Sequence, residues 1–229
     1  MRSCTIISRK ISLLVLWVII TIVVCATSPF LDQQLAILPY DSINSKFYGE
    51  VHWWCNIIYY GVNVATVLLI AIPLFSLLYV MLKKIPLNKT LLRIVLVSYL
   101  GLAIGPGLVV NLAFKNNWGR ARPYQVIRDH HPFSYPWQPH FDRPADNSFP
   151  SGHVSIGAFV GVPLIAARRK KLGVLACGIG FVLVGIVRWL QGGHYFTDIV
   201  MAGVLVWLCS WLVMMIVDRV LSRNGGVNL

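Results

Sequence analysis

The amino-acid sequence predicts an all-α fold: a polytopic integral membrane protein whose six transmembrane helices form one bundle. Composition points there first. Of its 229 residues, 57% are hydrophobic and 12% are charged, about half the charge of an ordinary soluble domain. Second, six apolar runs follow one another, each close to the roughly 20 residues that cross about 30 Å of hydrocarbon. Third, lysine and arginine gather in alternate connections between those runs. The whole chain, 1–229, reads as a single membrane-embedded domain.

The runs fall at about 11–29, 55–82, 91–114, 152–167, 172–191 and 199–217. The fourth is short, and the second is long enough to tilt. Pro73, Gly105-Pro106-Gly107 and Pro163 lie inside them, where neighbouring helices can satisfy freed backbone groups. The first run could instead be a secretory signal, but it is long for one and no A-x-A cleavage site follows. Residues 30–50 mix polar, apolar and turn-forming types and read as an external loop or interfacial segment, with His52, Trp53 and Trp54 as a headgroup-level anchor. The five cysteines are scattered without metal-type spacing, and four of them sit in or next to apolar segments, where cysteine acts as a small hydrophobe.

Orientation follows from the cations. Arg2, Arg9 and Lys10 precede the first run; Lys83, Lys84, Lys89 and Arg93 follow the second; Arg168, Arg169, Lys170 and Lys171 follow the fourth; Arg219 and Arg223 follow the last. That side is read as cytoplasmic, with both termini on it. Much of the +12 net charge is therefore topology signal, and nucleic acid is not an expected partner.

Three short blocks carry the chemistry: Lys115-x6-Arg122-Pro123, Pro150-Ser151-Gly152-His153, and Arg188-x5-His194-x3-Asp198. A hairpin of two spans with its basic turn at 168–171 returns His194 to the face from which His153 departs, and Lys115 closes the third run at that face. Lys115, Arg122 and Arg188 offer fixed positive charge, and an arginine fork matches phosphate oxygens with paired hydrogen bonds. Ser151 and Gly152 stand at the start of the fourth helix, where backbone N–H groups hold anions. Asp198, four residues after His194, is placed to fix the tautomer of the ring and leave its other nitrogen free to attack. His153 remains as proton donor to a departing oxygen. Taken singly, Lys115 and Arg122 would read as snorkelling cations. As a set, ionisable groups beside a membrane mark a site.

Other candidates are weaker. Arg120 is read either as a contact to a substrate phosphate or as a bilayer-surface cation. His130, His131, His140 and Asp142 fit no standard metal-ligand spacing, so neither a metal nor another cofactor is expected. Tyr124, Phe133, Tyr135, Trp137 and Phe141 are expected to line the membrane interface.

The three blocks resemble the signature of the type 2 phosphatidic acid phosphatase superfamily: K-x6-R-P, then P-S-G-H, then S-R-x5-H-x3-D. Ten specified residues match in order between about 100 and 205; Val187 stands where the last block usually begins with Ser. The resemblance implies a helical-bundle phosphatase needing no metal. In it Lys115, Arg122 and Arg188, assisted by Ser151 and Gly152, bind phosphate; His194 forms a phosphohistidine, Asp198 orients it and His153 is the general acid. Gly105-Pro106-Gly107-Leu108-Val109-Val110-Asn111, Trp118-Gly119-Arg120 and Gln191-Gly192-Gly193-His194 look further like the bacterial lipid A 1- and 4′-phosphatases. The expectation is thus a bacterial inner-membrane enzyme with a periplasmic active site, acting on a lipid phosphate monoester, lipid A foremost. Undecaprenyl diphosphate, phosphatidylglycerophosphate and phosphatidic acid are alternative substrates, and phosphate transfer to lipid A an alternative reaction. An anion transporter is the non-enzyme alternative, disfavoured because the chemistry sits in one half of the chain.

Overall fold

In the computed structural model, which describes residues 2–143 and 146–223, nearly all regular structure is helical. The side chains of Arg2, Arg9 and Lys10, counted above among the cytoplasmic cations, lie outside what it describes. The long elements are α1 (Arg2–Ile37), α3 (Trp53–Leu82), α4 (Lys89–Leu102), α8 (Lys170–Leu190) and α9 (Phe196–Arg223). Short helices are α2 (Tyr48–Val51), α5 (Pro123–Ile127), α6 (Gly152–Phe159) and α7 (Val162–Ala166). A two-stranded hairpin pairs β1 (Tyr40–Asp41) with β2 (Lys46–Phe47).

Five helical stretches are long and apolar enough to cross a bilayer: Val15–Ile37, Trp53–Leu82, Lys89–Lys115, Lys170–Leu190 and Phe196–Arg223. Their outer faces expose large apolar side chains, Leu82, Trp53 and Phe75 among them, as a hydrocarbon solvent permits. The fourth expected run differs. Gly152–Ala166 is a shorter apolar stretch, about 22 Å at helical rise, and it is broken between α6 and α7 ahead of Pro163. It is also the most enclosed part of the bundle: α6 packs on α8, α9 and the end of the third span. Val97, Val110, Ala158, Phe159, Val162 and Val206 form the core around it.

Two departures from the expected boundaries shape the site. Helix α1 runs past Pro29 to Ile37, so the first part of the expected 30–50 loop is helix. The third span passes from α-helix into a π-helical segment, Ala103–Lys115, containing Pro106. Proline lacks the N–H that an α-helical ladder needs, and such local widening is a recognised remedy. Asn111 completes it, donating its side-chain N–H to the Pro106 carbonyl at 2.7 Å. At the opposite end of the bundle Arg93 holds Asp218 at 2.6 Å and caps the Ala166 carbonyl at the end of α7.

Candidate active site

The three sequence blocks meet at one end of the bundle. Lys115 ends the π-helical segment, Ser151 caps α6 by accepting the Val154 N–H at 3.4 Å, Arg188 lies in the last turn of α8, and His194 precedes the first residue of α9. A cation in the last turn of a helix and a carboxylate in the first turn, here Arg188 and Asp198, both suit the helix dipole.

Close approach is enforced by two glycines. A Cβ at Gly152 would sit 2.5 Å from Asn111 Oδ1 and 3.3 Å from Lys115 Nζ. A Cβ on Gly193 would collide with the guanidinium of Arg188. The polypeptide is thus bare where the cationic side chains converge.

Lys115, Arg122 and Arg188 lie near enough to repel one another. Among the described residues none of the three forms a salt bridge. Arg188 is buried and donates to Gln191 Oε1 at 2.6 Å, and its Nε has no partner among the described residues. Arg122 donates from Nε to the neutral Asn147 amide oxygen at 3.1 Å. Arg188 is buried and Lys115 and Arg122 are half-buried; cations withdrawn from water without counter-ions are costly, and such a cluster suits an anion. Tyr59 of α3 closes one side: the His153 ring stacks on it at 4.3 Å and Arg188 lies 5.0 Å from its centroid.

His194 is fully buried. Its Nδ1 lies 2.6 Å from the Ser148 carbonyl oxygen. A carbonyl only accepts, so Nδ1 carries the hydrogen and Nε2 presents a lone pair. Among the described residues that Nε2 has no hydrogen-bond partner. Burial above all lowers the His194 pKa, to about 3; Asp198 opposes this, while Arg188 and Arg122 add to it.

Asp198 is one step further back than expected. Its Oδ2 is 3.8 Å from His194 Nδ1, too long for a hydrogen bond. The two are not stacked on one helix, because α9 begins only at Phe196. Asp198 instead accepts from Ser148 Oγ at 2.5 Å and from the Tyr195 backbone N–H at 2.9 Å. It thereby fixes both Ser148, which holds the ring, and the turn that carries it.

Arg120 fits neither earlier reading. It touches neither solvent nor the cationic pocket but is fully buried, bound to Asp198 on one side and to Asp32 at 2.7 Å on the other. Tyr195 stacks against it at 4.3 Å. The carboxylates keep Arg120 above its ordinary pKa range although burial works the other way. Phe133, expected at the interface, lies over Arg120 at 5.7 Å and packs edge-on against Tyr195. Trp137 and Phe141 are exposed, as an interfacial role requires.

The loop between the first two blocks is pinned by backbone hydrogen bonds from His140 to Trp118 and from Ser148 to Arg120, both 2.8 Å. Among the described residues no group of three or more His, Cys, Asp or Glu gathers as metal ligands; His131 faces Asp146 at 3.2 Å. Val187 is buried and brings no polar side-chain group to the site. Asp32, Ser148 and Tyr59 were not singled out from the sequence.

The arrangement can hold a tetrahedral anion among three cations and the start of α6, with a neutral imidazole beside it. Comparison with known proteins agrees. Residues 93–221 match the model of the PAP2 superfamily. The chain is 32% identical over 203 residues to the lipid A 4′-phosphatase of Francisella tularensis subsp. novicida (strain U112), covering 83% of this chain and 88% of that one. No solved structure matches. With more than half of its length matched by the family model and the signature residues gathered at one end of the bundle, the chain belongs to the PAP2 superfamily.

Proposed function

We propose that the protein is a membrane lipid phosphatase that removes the 4′-phosphate of lipid A through a phosphohistidine on His194. The observation that carries the reaction is the pairing of three cations lacking carboxylate partners with a buried histidine whose Nε2 is free. The kinship to a lipid A 4′-phosphatase carries the substrate.

A phosphate monoester brings about two negative charges near neutral pH, which balance most of the charge of Lys115, Arg122 and Arg188. The arginine forks and the N–H groups at the start of α6 hold the non-bridging oxygens. The lone pair of His194 Nε2 attacks phosphorus in line as the P–O bond to the sugar breaks. His153 gives its proton to the leaving oxygen. In the second step His153 takes a proton from water, the water oxygen bonds to phosphorus, and the N–P bond breaks to restore neutral His194. The three cations act most strongly on charge developing in the transition state.

The gathering of lysine and arginine in alternate connections supports six spans with both termini in the cytoplasm; on that reading this end of the bundle faces the periplasm, and the headgroup reaches the cations while acyl chains remain in the bilayer. Gly152–Ala166 would be the sixth span, threading the bundle's centre.

Purified protein reconstituted with lipid A, read by mass spectrometry and fragmentation, tests this. Loss of one phosphate from the 4′ position, absent with His194→Ala, is expected. Release only from undecaprenyl diphosphate, phosphatidylglycerophosphate or phosphatidic acid would overturn the substrate and keep the reaction. No release from any of them would overturn both.

A further inference from the structure

Asp32 stands in α1, far along the chain from the signature blocks, and yet it is fully buried beside them. Its carboxylate is saturated. Oδ2 accepts from Arg120 Nη2 at 2.7 Å, Thr197 Oγ1 at 2.6 Å and Ser28 Oγ at 2.9 Å. Oδ1 accepts the Thr197 backbone N–H at 3.1 Å. Arg120 is gripped from its other side by Asp198 and donates from Nε to the Ser134 carbonyl at 2.9 Å.

One guanidinium needs only one carboxylate for neutrality. Counted as ionised, Asp32, Arg120 and Asp198 sum to a single negative charge in a dry setting, and its nearest edge is Asp198, 3.8 Å from His194 Nδ1. Were Arg120 bound to Asp198 alone, the pair would be neutral and would present His194 with only a dipole. That difference matters during reaction. As Nε2 donates its electron pair to phosphorus and the ester oxygen leaves with its own, the ring keeps its Nδ1–H and becomes cationic.

We propose that Asp32 is a positioning residue for the catalytic histidine: by sharing Arg120, it leaves Asp198 the negative charge that steadies His194 as the phosphoenzyme forms. This rests on the reading of His194 as nucleophile. Asp32 touches neither phosphate nor the pocket cations, so it should act on turnover and not on binding. Substitution should also leave the phosphate-binding cations in place.

The test is Asp32→Asn in the full-length reconstituted enzyme, with kcat per folded molecule, KM and melting temperature measured together, and His194→Ala alongside. The exchange keeps shape and removes charge. Expected is a kcat at least about tenfold lower with KM within about twofold of the parent. A second variant, Asp32→Asn combined with Arg120→Gln, restores the single negative charge and should regain turnover over Asp32→Asn alone; a mere strut between helices would be weakened further. If Asp32→Asn does not fold, Asp32→Glu is read instead, and a folded Asp32→Glu that loses about tenfold or more in kcat overturns the proposal. So does an Asp32→Asn enzyme that melts lower but turns over normally per folded molecule. If His194→Ala retains activity, the nucleophile assignment fails and this inference falls with it. If His194→Ala is inert and Asp32→Asn is normal, the role of Asp32 alone is wrong.

Discussion

His194 is held through Nδ1 by the backbone carbonyl of Ser148 at 2.6 Å, and Asp198 stands behind that contact, 3.8 Å from the ring. The tautomer is thus set by a group that cannot change protonation. Asp198 sets the position of that group through Ser148 Oγ, 2.5 Å away, and contributes its charge from the second rank. Carboxylate, serine and imidazole form a relay of position, with Nε2 left bare at its end.

Ser148→Ala removes the hydroxyl of this relay while preserving the carbonyl. Hydrogen bonds to charged groups contribute about 1.5–3 kcal/mol, so kcat should fall about tenfold or more with KM little changed. Steady-state kinetics on reconstituted enzyme measures it.

Arg188→Met should produce opposite effects on stability and activity. Arg188 is buried without a carboxylate, so removing its charge relieves burial and mutual repulsion in the free enzyme. The melting temperature without ligand is expected to rise and turnover to be lost. Vanadate, which resembles the five-coordinate transition state, should stabilise the parent and inhibit it, and do neither to the variant. Arg188→Lys should not restore full activity, since an ammonium lacks the planar fork.

Gly193→Ala places a methyl group against the Arg188 guanidinium. The loop bearing His194 or the arginine must then shift, and displacement of about 1 Å in a site of this kind costs about 10²-fold. A loss of that order in kcat/KM, with expression and folding intact, is expected.

Acid should unfold the enzyme partly through His194. Its folded pKa is pushed down to about 3, against about 6.5 in an unfolded chain. The unfolded state therefore binds a proton first as pH falls. The stability tied to this residue is whole above pH 6.5 and is lost progressively between there and about 3. At pH 5 the loss is about 2 kcal/mol. The stability of the parent minus that of His194→Gln, from unfolding curves, should fall by about that amount between pH 7 and 5, whatever its sign at pH 7.

The spans and the meeting of the three blocks were legible because bilayer thickness sets helix length, and a hairpin must return to its starting face. Lys115, Arg122, Arg188, His153 and His194 were readable as a set for that reason. Ser148 was not: it works through a carbonyl that every residue owns. Asp32 was hidden because its partner Thr197 lies 165 residues away, and the polar residues after Pro29 masked the last turns of α1. Arg120 and Arg122 are indistinguishable as chemistry two positions apart. Only the fold decides that the first is claimed by two carboxylates while the second faces an amide. The π-helical turn follows from Gly105-Pro106-Gly107 physically, though a kink or a break would have satisfied the same residues.

The most direct measurement is a rapid-quench experiment on the reconstituted enzyme with lipid A, followed by digestion under alkaline conditions and mass spectrometry of the peptide containing His194. A transient phosphate on His194, stable to base and labile to acid, is expected within the first turnover, and it should be absent from His194→Asn. Phosphate release at the normal rate with no modified histidine, or from a His194→Asn enzyme, would contradict the mechanism.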